Sequence, residues 1–216
     1  MPAIIKMTFD TSLRDKVKNP SKDFQEFLMQ YFDDPMYGLR KEQDRTILKR
    51  LNGIEKQVAD NLVLANLNTN AEWLIEAASG LKIDAAIPIL IDKYKKANEL
   101  ATKLIIAKSL YDWIGFEEYI GILNQVMDSD KSFYKQEVVF YAVALDKQNA
   151  VDIIFKGLSD KDDFTRWIAF KALSIYRKKP EPTYEENKYY TDELVYNDKK
   201  VFESRLNDLR TRVGKE

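Results

Sequence analysis

Leu158-Ser159-Asp160-Lys161-Asp162-Asp163-Phe164-Thr165-Arg166-Trp167-Ile168-Ala169-Phe170-Lys171-Ala172-Leu173 decides how the rest of the chain is read. Asp160, Asp162 and Asp163 make a polar turn whose short side-chain oxygens suit the unpaired N–H groups at a helix start. After the turn, Phe164, Ile168, Ala172, Leu173 and Tyr176 recur at the three- and four-residue steps of one helical face. Before it, Val151, Ile154 and Phe155 mark another short apolar face. The stretch therefore predicts one helix, a tight acidic turn and a second helix.

Working outward, residues 54 to 178 repeat this pattern. Apolar stripes run through Val58, Leu62 and Ala65, then Trp73, Leu74, Ala77, Ala78 and Leu81, then Ile87, Leu90, Ile91 and Tyr94. They continue through Leu100, Leu104, Ala107, Leu110 and Tyr111, through Ile120, Leu123 and Val126, and through Val138, Val139, Ala142 and Leu145. Breaks are expected at 68–70, 80–84, 95–98, 113–116, 128–130 and 146–149. Asp84 reads as an N-cap ahead of Pro88, and the acidic turn residues read as caps rather than metal ligands. An EF-hand loop would need a Gly and a closing Glu that are missing. Short helices joined by short loops suggest stacked antiparallel hairpins.

The pattern is also periodic. Ala86-Ile87-Pro88-Ile89-Leu90, Tyr119-Ile120-Gly121-Ile122-Leu123 and Ala150-Val151-Asp152-Ile153-Ile154 open successive first helices, starting 33 and 31 residues apart. The turns Asp128-Ser129-Asp130 and Asp160-Lys161-Asp162 recur 32 residues apart. A period in this range marks a helical repeat array, in which each hairpin buries its apolar face against its neighbours.

Residues 54 to 178 resemble the HEAT-repeat family. Its second helix carries an Asp in the inter-helix turn, an Arg six positions later, and small or apolar residues beyond. Asp160, Arg166, Ala169, Ala172 and Leu173 fill those places, and Ala86, Pro88 and Leu90 resemble the first-helix opening. Thr165 stands where an apolar residue is usual, and Lys103 takes the Arg position in an earlier repeat. The resemblance implies an all-α, HEAT-like α-solenoid with atypical terminal caps. It makes the Asp–Arg pairing a structural link between neighbouring repeats, with no catalytic role.

On this reading, residues 1–53 form an N-terminal lead-in and capping helices, 54–179 the array, and 180–216 an acidic Tyr-rich segment and a C-terminal capping helix. Pro20-Ser21-Lys22 starts a helix with Phe24, Phe27, Leu28, Tyr31 and Phe32 on its apolar side, closed by Asp33-Asp34-Pro35. Ile47, Leu48 and Leu51 mark a further helix, and Val201, Phe202, Leu206 and Leu209 the last one.

Composition narrows the function classes. Apolar residues are 45% of the 216, enough for a continuous core, and charged residues are 32%, above the roughly 25% of an average domain. The 34 basic and 35 acidic residues leave a net charge of −1, without the basic excess that phosphate neutralisation demands of a nucleic-acid binder. There is no Cys and no His, so thiol nucleophiles, imidazole bases, disulfides and Cys/His zinc sites are excluded. No metal and no cofactor is expected. The chain shows no apolar run of membrane-spanning length and no signal-like start, so a cytoplasmic location is expected.

The partner-binding candidates come from the aromatics. The resemblance implies that second helices line the concave, docking face, and Trp73, Trp113 and Trp167 all lie on second helices or their ends. Trp167 sits off the stripe of its helix, so Trp167 with Phe170 reads either as a docking surface or as core. Tyr184, Tyr189, Tyr190 and Tyr196 lie in a segment where Glu181, Glu185, Glu186, Asp192 and Glu193 outnumber Lys188. That segment reads either as an interface for a basic partner or as a cap over the last repeat.

These features point to a non-enzymatic protein–protein interaction module. A scaffold, an assembly factor and a toxin-neutralising immunity-type protein all fit. The expected partner is another protein, not nucleic acid or a membrane, and the oligomeric state is not readable. The alternative from another class is a HEAT-like DNA-binding enzyme of the alkylpurine DNA glycosylase type. For that activity Asp112 with Trp113, and Arg166 with Trp167, are the only candidates.

Overall fold

The computed structural model describes residues 9–34, 44–69, 71–192 and 196–214. Met1 to Ile5 of the expected lead-in, Pro35 at the first helix stop, Asn70 in a loop and Glu193 in the acidic segment lie outside them. The described residues are all-helical and contain no strand. Twelve α-helices are described: α1 Lys22–Leu28, α2 Ile47–Arg50, α3 Gly53–Asn66, α4 Glu72–Leu81, α5 Ala86–Lys96, α6 Leu100–Ile114, α7 Glu118–Met127, α8 Ser132–Ala142, α9 Lys147–Leu158, α10 Asp163–Tyr176, α11 Tyr184–Thr191 and α12 Lys199–Gly214. None of them is long and apolar enough to cross a membrane. The chain divides into two compact units, Met1–Tyr119 and Ile120–Glu216.

In the first unit α1 starts where Ser21 accepts the Phe24 N–H, and it runs on into a π-helical turn over Met29–Asp33. Phe24, Phe27, Tyr31 and Phe32 are buried there, and the Trp73 indole N–H donates to the Tyr31 carbonyl at 3.0 Å. The irregular segment before α1 is held by Asn66, whose amide side chain exchanges two hydrogen bonds with the Asp10 backbone at 2.7 and 2.9 Å. Helices α3 and α4 pack together, as do α5 and α6, and α4 lies against α6.

Two expected helix boundaries are corrected here. Gly80 does not end α4. A β-carbon on it would stand 2.5 Å from Leu48 Cδ1, so the glycine lets α2 approach closely. The left-handed stop falls on Lys82, at φ 53°, with the Ile83 N–H closing onto the Ala78 carbonyl at 3.1 Å. Asp84 does not cap α5. The chain enters through a helical turn at Ala85, and the Ile83 and Asp84 carbonyls accept the first N–H groups.

In the second unit α8, α9 and α10 each contact the other two, α11 packs on α10, and α12 on α11. Val138, Val139, Ala142, Ile153, Ile154, Leu158, Ala169, Ala172 and Leu173 are buried. Gly157 on α9 makes the three-helix contact possible, since a β-carbon there would lie 2.7 Å from Val139 Cγ2 and 2.9 Å from the Ala169 β-carbon. Asp146 caps α9 and Asp162 caps α10 through their side chains. The Asp128–Asp130 turn does not cap α8, which begins after Lys131 without a side-chain cap. Asp128 is paired instead with Lys156 at 3.2 Å, and Asp130 with Lys161 at 3.0 Å.

Candidate functional site

The site is built on α10, and its geometry follows from one local exchange. Asp162 accepts the Thr165 N–H at 2.8 Å and the Thr165 hydroxyl at 2.6 Å. With its hydroxyl satisfied, Thr165 is buried at the position where an apolar residue is usual. The inward face is therefore Thr165, Arg166, Ile168, Ala169, Phe170, Ala172 and Leu173. Phe164, expected on the core stripe, is turned out and 51% exposed. It stacks on half-buried Trp167, with ring centroids 5.6 Å apart and planes 11° from parallel. Lys171, one turn on, holds its ammonium 5.8 Å from the Trp167 ring centroid and pairs with Glu181 at 2.5 Å.

The inward face is anchored by Arg166, which is fully buried. Its Nη1 donates to the carbonyls of Asp160 and Lys161, both at 2.9 Å, and its Nε to the Thr191 carbonyl at 3.0 Å. The guanidinium carbon lies 4.3 Å from the Tyr196 ring centroid. Burial pulls its pKa below the ordinary arginine value, opposed by the charge of Asp163 and other nearby acidic groups. Arg166 takes the Asp160 carbonyl and not its carboxylate. That carboxylate receives Lys135 of α8 at 2.6 Å, and also the Asp162 N–H at 2.9 Å.

Helix α11 supplies the opposite wall. Thr183 and Glu186 form a reciprocal capping box at its start, which fixes the entry angle of the chain. Asn187 and Thr191 turn inward and are buried. Tyr184 stays 72% exposed. Between the walls opens a cleft of about 840 Å³ lined by Asp163, Phe164, Trp167, Tyr184, Lys188, Thr191, Asp192 and Asn197. Among the described residues two carboxylates and one ammonium line it, with Lys188 Nζ 3.9 Å from Asp192.

The structure thus brings Trp167 and Tyr184 together and separates the other candidates from them. Phe170 is buried with its ring centroid 4.8 Å from that of Tyr190, whose hydroxyl pKa burial raises. Tyr196 lies between Arg166 and Phe202. Tyr189 is covered by the Arg205 guanidinium, 3.8 Å from its ring centroid. Tyr190 and Tyr196 thus pack their rings against Phe170 and Phe202. In the first unit Trp113 packs against the core, and Asp112 is paired with Lys108 at 2.7 Å.

The sequence reading missed Phe164, Lys188 and Asp192 as cleft residues. The signal was present for Phe164: with Trp167 and Lys171 it forms its own stripe at steps of three and four. Among the described residues no group of three or more acidic, His or Cys side chains is placed to hold a metal ion. No family model matches the chain, and no match to it was found among the curated proteins or the solved structures.

Proposed function

We propose that the chain is a non-enzymatic, HEAT-like helical-repeat module that docks a partner protein at the cleft between α10 and α11. Several features support the repeat reading. They are the roughly 32-residue recurrence of the acidic turns, the direct packing of second helix on second helix (α4 on α6, α8 on α10), and a pair of matched inter-helix links. Lys135 to Asp160 and Arg166 to Thr191 each span 25 residues. The Asp–Arg link expected from the family is carried here by Lys135 and Asp160, one repeat position before Arg166.

One observation carries the docking reading. Phe164, Trp167 and Tyr184 open onto one 840 Å³ cleft, while the inward faces of the same helices hold the fold. Aromatic anchors in a concave site are the common currency of protein recognition. Two observations weigh against the glycosylase reading: Arg166 is buried on three carbonyls and so is withheld from a phosphate, and two carboxylates line the cleft.

The test is affinity capture from cells that make the protein, comparing the natural chain with the Phe164→Ala/Tyr184→Ala double variant. A protein retained by the first and lost by the second supports the proposal. A set of captured proteins unaffected by the double variant, or selective retention of duplex DNA, overturns it.

A further inference from the structure

We infer that the cleft takes an arginine side chain presented by a basic segment of the partner protein, an inference that rests on the docking reading above. In the second unit Trp167 is faced by Lys171, Tyr189 by Arg205, Tyr196 by Arg166 and Phe155 by Arg210, at 5.8, 3.8, 4.3 and 4.8 Å from the ring centroids. Among the described residues no cation lies over Phe164 or Tyr184, and both are exposed at the cleft. An aromatic face carries the negative part of the ring quadrupole, so an uncovered ring attracts a cation from outside.

Charge points the same way. Among the described lining residues, Asp163 on the α10 wall and Asp192 at the end of α11 set two negative charges against the positive charge of Lys188. Glu185, next to Tyr184, is exposed as well. Of these groups an incoming anion would be drawn only to Lys188, whereas an incoming cation is drawn to two carboxylates and two open rings. Arginine fits better than lysine because its planar guanidinium stacks on a ring while its edge donates to a carboxylate. The cleft volume of about 840 Å³ lies in the range that encloses a ligand of several residues' bulk. It therefore fits a side chain together with its flanking backbone. The capping box at Thr183 and Glu186 fixes the backbone from which Tyr184 projects, which lowers the backbone part of the ordering cost of binding.

The test is a two-dimensional NMR titration of the full chain, ¹⁵N-labelled, with three blocked peptides: acetyl-GRGRG-amide, acetyl-GKGKG-amide and acetyl-GQGQG-amide. Shifts concentrated at Asp163 to Trp167 and Tyr184 to Asp192, with the arginine peptide binding most tightly and the glutamine peptide not at all, support the inference. Phe164→Ala and Tyr184→Ala should each weaken the arginine peptide about three- to tenfold. Both rings are exposed, so the remaining spectrum serves as the check that the fold is intact. Asp163→Asn should weaken binding and reduce its salt dependence. Equal response to the glutamine peptide, shifts centred elsewhere, or affinities unchanged in both aromatic variants overturn it. If the captured partner still depends on the cleft while the arginine peptide does nothing, this inference falls and the docking reading stands. If capture does not depend on the cleft, the docking reading falls.

Discussion

The ammonium of Lys135 sits 2.6 Å from the carboxylate of Asp160, with only 7% of either side chain exposed. The contact joins α8 to the turn that opens α10. A buried pair of this kind adds little over an apolar isostere, but removing one partner strands the other charge out of water. Lys135→Met should therefore cost about 3–5 kcal/mol of unfolding free energy. Asp160→Asn in the same chain should restore most of that, because the amide oxygen can still accept the Asp162 N–H. Urea denaturation of both singles and the double checks this. A double variant no more stable than Lys135→Met would show that the stranded charge is not the cause.

The helical glycines Gly157 and Gly121 should respond to alanine with opposite signs. At Gly157 the new methyl would meet Val139 and Ala169 at 2.7 and 2.9 Å. That overpacking is expected to cost about 1–3 kcal/mol, outweighing the helix-propensity gain of about 1 kcal/mol. At Gly121 nothing lies within 4 Å of the added carbon, so the propensity gain stands alone and Tm should rise. Thermal melts of the two variants decide it.

Asp162 should give α10 an acid-sensitive start. Its burial raises the carboxyl pKa, but the hydrogen bonds from Thr165 and Gln136 and the charge of Arg166 together bring it below the ordinary 3.8. A depressed folded-state pKa means that the contribution is complete above the unfolded value and is lost as pH falls through the folded one. Asp162→Ala should cost about 1 kcal/mol at neutral pH, and the difference from the natural chain should shrink below about pH 4. Asp162→Asn keeps the cap without the titration, so its stability relative to Asp162→Ala should stay flat through the same range.

Tyr31 should mark the alkaline limit of the first unit. Burial pushes its pKa from 10.0 up to about 12; the charge of Arg45 opposes this, and Glu76 and Asp44 reinforce it. With the folded value raised, the contribution is complete below about pH 10 and is lost as pH rises through 12. The ultraviolet absorbance of tyrosinate should include a late-ionising component, alongside those of Tyr94 and Tyr190, that Tyr31→Phe removes. The Phe variant should also lose less stability between those two pH values.

Much of the helical framework is legible from spacing alone, since Ile168, Ala172 and Leu173 fall on an inward helical face as their stripe predicts. What spacing misses is side-chain chemistry that changes a residue's ordinary place. Thr165 reads as polar and surface-bound until Asp162 satisfies its hydroxyl, and that swap is what moves Phe164 outward. Lys135 reads as a solvated lysine because its partner lies 25 residues further on. Gly80 reads as a helix stop because the close approach of Leu48 is a tertiary fact. The cleft was hidden for a similar reason. Trp167 and Tyr184 are separated in sequence by a proline-containing connection, and only the docking of α11 through Arg166 and Thr191 makes them neighbours.

Helix α10 keeps its structural anchors and its solvent-facing rings on different sides. Arg166, Ala169, Ala172 and Leu173 are buried, whereas Phe164 is 51% exposed and stacks on half-buried Trp167. Substitutions at exposed Phe164 are thus expected to disturb the fold less than substitutions at the buried positions behind it. A lineage of such chains would be expected to diverge fastest at positions 164, 167 and 184, and slowest at 135, 160 and 166.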